Sequence, residues 1–456
     1  MPKITVIMPS LNVKKYIKRC MESVVNQTLE DIEILAIDAG SQDGTLEILH
    51  EYELADKRIR VILSEKKSYG YQINRGIREA QGEYIAIVET DDRIARDMLE
   101  VLYQPAKDNG LDYVKGDFAL WFELENNLSW TRNMRVYPIC EEMYDRIIRP
   151  ADDWDVFLRD IYLWRGIYRR QFLLDKNIFL NETNGAAFQD QGFLFQTIKE
   201  ADSAMYIRDI VYYYRQNNEG SSIYNPKAYD YLLGEYPYVK KCLLKKGQFD
   251  RSMEQAYYTR LFQQIMGRYR TMAASGKLWE GTQQQRHQLH QWVKEGYQSG
   301  TYDPYVLGKS VFMELLQYLA DEEGYWQHQM SIYQAKREAL AELLNKVRMA
   351  DSVVFYTRSM VGGFVYGLIK AAGIDKKVYF CDNNEKYQGT EYMNTNVYSV
   401  KEAVTMNPNG LYIIANRRFD VGMRDQLLNL GVSQSAIFSW MLDTDILLLN
   451  IVGCLQ

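Results

Sequence analysis

The first hundred residues alternate between apolar runs and amphipathic stretches. Ile4 to Met8 and Ile32 to Ile37 are close to continuous apolar runs, the pattern of strands buried on both faces, Tyr84 to Val88 repeats it, and Arg60 to Leu63 is a short third strand. Between them Val13, Tyr16, Ile17, Cys20 and Val24 recur at helical spacing, Leu46, Leu49 and Tyr52 follow suit, and a further helix is predicted through roughly Gln72 to Ala80. Strands alternating with helices at this interval predict a parallel, doubly wound sheet. Such sheets bind ligands beyond the carboxyl ends of their strands. Those ends carry PSLN (Pro9 to Asn12), DAGSQDGT (Asp38 to Thr45) and ETDD (Glu89 to Asp92), so polar and acidic groups converge on one edge.

Beyond residue 94 the alternation becomes less regular up to about 225. From 226 to 348 long stretches rich in Gln, Leu, Lys and Glu read as helices whose polar content suits solvated faces. Near Ser352 a second βαβ pattern begins: VVFYTR, a helix through Val365 to Ala372, KVYFCDNN, then GLYIIAN. Its first turn, TRSMVGG, lacks the G-x-G-x-x-G that lets a backbone approach a pyrophosphate, so this unit is expected to keep a dinucleotide-binding shape without that ligand. Three domains are predicted, 1–225, 226–348 and 349–456, as a chain of 456 residues exceeds what one core serves.

Composition adds exclusions. A net charge of −6 argues against a nucleic-acid binder, which needs a basic surface to neutralise phosphates. No apolar run approaches the ~20 residues of a membrane helix and no leader pattern opens the chain, so a cytoplasmic protein is expected, with the inner face of the membrane compatible. The five cysteines form no C-x-x-C pair, which removes the usual zinc spacing and gives no disulfide framework. Tyrosine is over-represented, with 36 residues against 16 phenylalanines; aromatic faces with polar tips suit sugars and partners, and equally half-buried packing.

The ETDD carboxylates suit a hard cation, because magnesium and manganese are commonly held through one or two carboxylates completed by water and substrate phosphates. In an extended segment Glu89 and Asp91 share a face while Asp92 turns away. No phosphate-binding glycine loop or P-loop lysine accompanies them, which disfavours a kinase or ATPase.

VIMPSLNVKKYIKRCMESVVNQT, IDAGSQDGT and YGYQINRGIREAQGEYIAIVETDD, in that order and spacing, resemble the nucleotide-binding half of family 2 glycosyltransferases with the GT-A fold. The resemblance is strong over residues 3–120 and continues more weakly to about 225 through WRGIYRR, FQDQGF and YYYR. It implies an α/β fold: an N-terminal GT-A domain with a Rossmann-like doubly wound mixed sheet, then the helical middle region, then a C-terminal Rossmann-like α/β domain. It also implies roles. Pro9 and Asn12 would contact the nucleoside, Asp38 the uracil or ribose, and Asp91 a Mn2+ or Mg2+ ion. Glu89 stands where an aspartate is usual and would bind the metal or a sugar hydroxyl; Asp92 completes the donor-binding set. Apart from the resemblance, Arg75 and Arg215 are each candidate charge-assisted donors to diphosphate oxygens. Asp190 matches the general base, with Gln189 where glutamate is frequent. FCDNNEKYQGTEYMNTNVYSVKEA in turn resembles an appendage of some polysaccharide-biosynthesis transferases, for which protein contact or dimerisation is expected.

The reading that results is a metal-dependent, inverting glycosyltransferase moving a sugar from a nucleotide sugar, expected to be a UDP-sugar, to a glycan or lipid-linked acceptor. Peripheral membrane association and a homo-oligomer are compatible with it. A scaffold that keeps the GT-A shape without turnover is the alternative, supported by Glu89 and Gln189. A nucleotidyltransferase would need a glycine-rich basic loop after the first strand, which PSLNVKKY does not supply.

Overall fold

The apolar runs at the amino end become the middle of a mixed sheet. In the computed structural model, which describes residues 1–123, 129–138, 140–218, 225, 227–276, 281–442 and 444–454, the strands are β1 (Ile4–Ser10), β2 (Ile32–Asp38), β3 (Ile59–Leu63), β4 (Tyr84–Ile87), β5 (Arg93–Ile94), β6 (Tyr113–Glu123), β7 (Ser129–Met134), β8 (Gly166–Arg169) and β9 (Ala204–Arg215). Their order is β3-β2-β1-β4-β8-β6-β9-β5, with β7 pairing β6. The β3-β2-β1-β4 half is parallel, whereas β8 joins β4 and β6 antiparallel. Every residue of β1 is buried, as expected for a central strand covered on both faces.

Two helices position the carboxyl edge of this sheet. Helix α1 (Lys14–Val25) buries Ile17, Cys20, Met21 and Val24 on one face. The other, Tyr69–Glu79, packs on β1 and β2 and buries Ile73 and Ile77. It starts three residues before the pattern predicts because Ser68 caps it, accepting from the Tyr71 N–H. It also lies so close to β1 that a Cβ at Gly76 would come within 2.7 Å of the Ile7 side chain. From this helix Gln72 Nε2 donates to the carbonyls of Ser10 (3.0 Å) and Ile37, tying the ends of β1 and β2 together.

Compact packing groups the chain into two units: residues 1–120, 133–268 and 279–322 in the first, and 121–132, 269–278 and 323–456 in the second. In the second, β10 (Ser352–Tyr356), β11 (Lys377–Cys381), β12 (Glu391–Tyr392), β13 (Thr395–Tyr398), β14 (Leu411–Ile414) and β15 (Ile437–Ser439) run in the order β12-β13-β11-β10-β14-β15. All its pairings are parallel except β12 with β13, which gives the Rossmann-like shape. Beside its first turn, a Cβ at Gly363 would sit 2.5 Å from the Tyr392 hydroxyl, which itself donates to the Ser359 carbonyl. Trp130 packs on Phe364 of this unit, ring centroids 5.1 Å apart, and donates to the Met360 carbonyl.

The middle region is helical, and the helix Arg251–Ser275 departs from a solvated amphipathic face. It buries Met253, Ala256, Leu261, Phe262 and Ile265 together with the polar Thr259 and Arg260. Among the described residues no helix is long and apolar enough to cross a membrane. Cys20, Cys140, Cys242 and Cys381 are free thiols, and the Cys454 side chain lies outside the described residues.

Candidate active site

At the end of β2 the Asp38 carboxylate is fully buried and saturated. Its Oδ1 accepts from the Gly40 and Ser41 backbone N–H groups at 2.9 and 2.7 Å, and its Oδ2 from the Ser10 and Ser41 hydroxyls at 2.9 and 2.6 Å. A carboxylate offers about four acceptor sites, so in this arrangement Asp38 organises its loop and has none left for a base or ribose. Asn12 lies opposite, exposed and at a left-handed φ of 55°, its side chain accepting from the Gln42 N–H while its own N–H donates to Ser41 Oγ. Pro9 is buried in β1 and its carbonyl accepts from Thr90 Oγ1 at 2.9 Å, which fastens ETDD to the neighbouring strand. Arg75 is not directed at the edge groups: it pairs with Glu79 at 2.8 Å and donates to the Leu63 carbonyl, since a one-turn ion pair is satisfied locally.

The three acids of ETDD have three different fates. Asp92 is buried, with Oδ1 accepting from the Arg215 backbone N–H at 2.7 Å and Oδ2 from the Tyr212 hydroxyl at 2.9 Å. It is an internal strut to β9, with both oxygens engaged inside the protein. Burial, followed by the charge of Asp91, pushes its carboxyl well above the usual range. Glu89 accepts from the Tyr69 hydroxyl, and its backbone N–H donates to the Tyr212 hydroxyl. Burial raises its carboxyl to about 8 against that Tyr69 bond, and Asp91 and Asp190 add to the rise. Asp91 is partly exposed: Oδ2 accepts from Asn218 Nδ2 at 2.7 Å, its backbone carbonyl accepts from Arg215 Nε, and Oδ1 has no hydrogen bond among the described residues.

Asp190 arrives from a hundred residues further on. It sits in the first turn of the helix Gln189–Glu200, and the loop before that helix docks on the start of the helix Tyr69–Glu79: Tyr69 N–H donates to the Gly185 carbonyl at 3.0 Å and Gly185 N–H to that of Lys67 at 2.9 Å. Asp190 thereby comes within electrostatic reach of Glu89 and Tyr69. Burial lifts its carboxyl to about 6, opposed by hydrogen bonding from Gln191 and the charge of Arg260.

Gln189 explains its own departure from glutamate. Its Nε2 donates to Thr183 Oγ1 at 3.1 Å and the Gly185 carbonyl at 3.2 Å, while Oε1 accepts from the Ala187 N–H at 2.7 Å. A carboxylate cannot donate to those oxygens. Gln189→Glu is therefore expected to lower stability by about 1–3 kcal/mol, the cost of buried groups left unpaired, read as a fall in melting temperature at neutral pH.

Tyrosines that sequence reasoning left unassigned brace these acids. Tyr212 stacks on Trp164 at 4.1 Å and Trp164 on Tyr162 at 4.8 Å. Tyr162 also feels Asp190, whose charge adds to the burial that raises its hydroxyl to about 12. The excess of tyrosine was the available signal, yet it did not say which of them hold carboxylates. For a divalent cation, no cluster of three or more His, Cys, Asp or Glu is present among the described residues. Asp91, with one oxygen open at the carboxyl edge, matches the sparse protein donor set of magnesium or manganese, whose other positions go to water and phosphate.

The model of the Glycosyl transferase family 2 family matches residues 5–187. Glycosyltransferase GlyG of Streptococcus pneumoniae is 32% identical over 220 residues, 47% of this chain and 71% of that protein. The uncharacterized glycosyltransferase EpsJ of Bacillus subtilis is 30% identical over 245 residues, 52% of this chain and 68% of the relative. Among solved structures, residues 1–349 of S. aureus TarS with UDP give a TM-score of 0.47 at 18% identity, covering 74% of this chain and 91% of that one.

Proposed function

The chain belongs to glycosyl transferase family 2 and is a glycosyltransferase; from that premise we propose that it moves a sugar from a nucleotide diphosphate donor, a UDP-sugar, to a hydroxyl of a glycan or lipid-linked acceptor with inversion. The observation that carries the reading is the meeting of two separate acidic stretches: Asp91 with an open carboxylate oxygen, and Asp190 within electrostatic reach of its neighbour Glu89. One group suits the diphosphate end of a donor and the other the acceptor.

In this reading Asp91 holds a Mn2+ or Mg2+ ion beside the donor, with Asn218 fixing its other oxygen. The ion, when bound, offsets the negative charge gained by the leaving diphosphate. Glu89 is a poorer ligand, because burial favours its protonated form despite the Tyr69 bond, and in that form it is suited to donate to a sugar hydroxyl. Asn12, exposed on the loop after β1, is the nucleoside contact, and Asp38 acts by shaping that loop. Asp190 takes the proton of the acceptor hydroxyl as its oxygen bonds to the anomeric carbon; the bond from that carbon to the diphosphate breaks and the electron pair leaves with the diphosphate.

Donor hydrolysis across UDP-, GDP- and dTDP-sugars, with and without manganese, tests this directly, with UDP binding read on the same samples. Cation-dependent release of UDP from one sugar is expected. Absence of UDP binding in the presence of manganese overturns the donor assignment.

A further inference from the structure

Arg260 is the least expected side chain in the first unit. It projects from the helix Arg251–Ser275, is 1% exposed, and its Nε and Nη1 have no hydrogen-bond partner among the described residues. Burying a guanidinium with unsatisfied donors is costly, and apolar residues of similar volume are often the more stable choice. The packing of its guanidinium over the Phe195 ring, 4.6 Å away, could be served as well by a methionine. The bond it does make is informative: Nη2 donates at 2.7 Å to Oε1 of Gln191, which is itself 2% exposed and follows Asp190 in the chain. With its oxygen held by Arg260, the Gln191 amide has its N–H groups left to donate beside Asp190, and their pull helps hold the Asp190 carboxyl down against the rise from burial.

The same helix start is gripped from a second side. Glu235, 2% exposed, accepts from the Gly192 N–H at 2.9 Å and from Asn181 at 3.1 Å, and a Cβ at Gly192 would collide with it at 2.5 Å. Further back, Lys115 and Arg165 share the buried Asp160 at 2.7 and 3.0 Å, with the Tyr206 hydroxyl donating to the same carboxylate. That group leaves two cations on one anion, so the Arg260 charge is not needed to balance Asp160.

We infer that Arg260 is a positioning residue for Asp190: reaching in from the helical region, it fixes Gln191 and, through it, the aim and the negative charge of the base. The inference rests on the general-base reading of Asp190 given above. It gives the helix Arg251–Ser275 a part in the chemistry without contact to substrate.

The test is a double-mutant cycle on the full chain, combining Arg260→Met with Asp190→Asn, with Arg260→Lys as the variant that keeps the charge. Turnover is followed as manganese-dependent hydrolysis of the UDP-sugar panel, UDP affinity by calorimetry, and stability by melting temperature. Arg260→Met is expected to lower kcat at least tenfold with KM and UDP affinity unchanged, Arg260→Lys to recover part of the loss, and Arg260→Met to add nothing in the Asp190→Asn background. In melting, the cost of Arg260→Met should be larger in the wild-type background than in the Asp190→Asn background, where the charge it serves is gone. Equal effects in both backgrounds, on kcat and on melting, overturn the inference. Wild-type turnover in Asp190→Asn would instead remove the base assignment, and the melting cycle would then still decide whether Arg260 acts on Asp190.

Discussion

Asp190→Asn is expected to lower transfer and donor hydrolysis by about 10²–10⁴-fold, the range general-base assistance supplies, while UDP binding with manganese is retained. The variant should also melt at or above the wild-type temperature. The sign follows from burial: the folded carboxyl titrates near 6, above its unfolded value, so its contribution to stability is present below the unfolded value and is lost as pH rises through about 6. At neutral pH the ionised group is held at a cost that Asn does not incur. For the same reason wild-type kcat should rise with pH through about 6 and level off above it. Equal loss of UDP affinity and turnover in Asp190→Asn, measured by calorimetry and hydrolysis, would take Asp190 out of the base role.

The second large effect is expected at Asp91. Asp91→Ala removes the ETDD carboxylate that has an open oxygen and with it a hydrogen bond from Asn218. Electrostatic offset of a leaving diphosphate by a cation is worth several kcal/mol, so kcat/KM should fall by about 10²–10³-fold at about 1.36 kcal/mol per tenfold. Manganese should no longer strengthen UDP binding. The overall fold should persist, because Asp92, not Asp91, carries the buried bonds to Tyr212 and Arg215. A calorimetric UDP affinity that still responds to manganese in the variant would sink the assignment of the cation to Asp91.

How much of this was legible depends on the range of the interactions involved. β1, β2 and β4 were readable because a strand covered on both faces must be apolar at nearly every position. The strands β6 and β8 were not, for the buried positions there include Lys115 in β6 and Arg165 just before β8. A buried cation looks polar until its anion is known, and Asp160 reaches Lys115 from 45 residues away. The helix Arg251–Ser275 misled for the same reason. Arg260 reads as a surface residue from its type alone, and the contacts that accompany its burial, the bond to Gln191 and the packing over Phe195, come from elsewhere in the fold.

By itself, then, the chain's residue pattern determined the alternation of strands and helices, the carboxyl edge where polar segments gather, and the acids available there. Period and apolarity are local properties, so they can be read locally. Which acid is open and which is spent was decided only in the folded protein. Asp38 is saturated by Ser10, Ser41 and the backbone of its own loop, Asp92 has both oxygens engaged by Tyr212 and Arg215 more than a hundred residues on, and Glu89 has one oxygen held by Tyr69. A carboxylate's chemistry is set by the donors and the burial around it, and long-range packing brings the donors to Glu89 and Asp92 and the charge of Arg260 to Asp190.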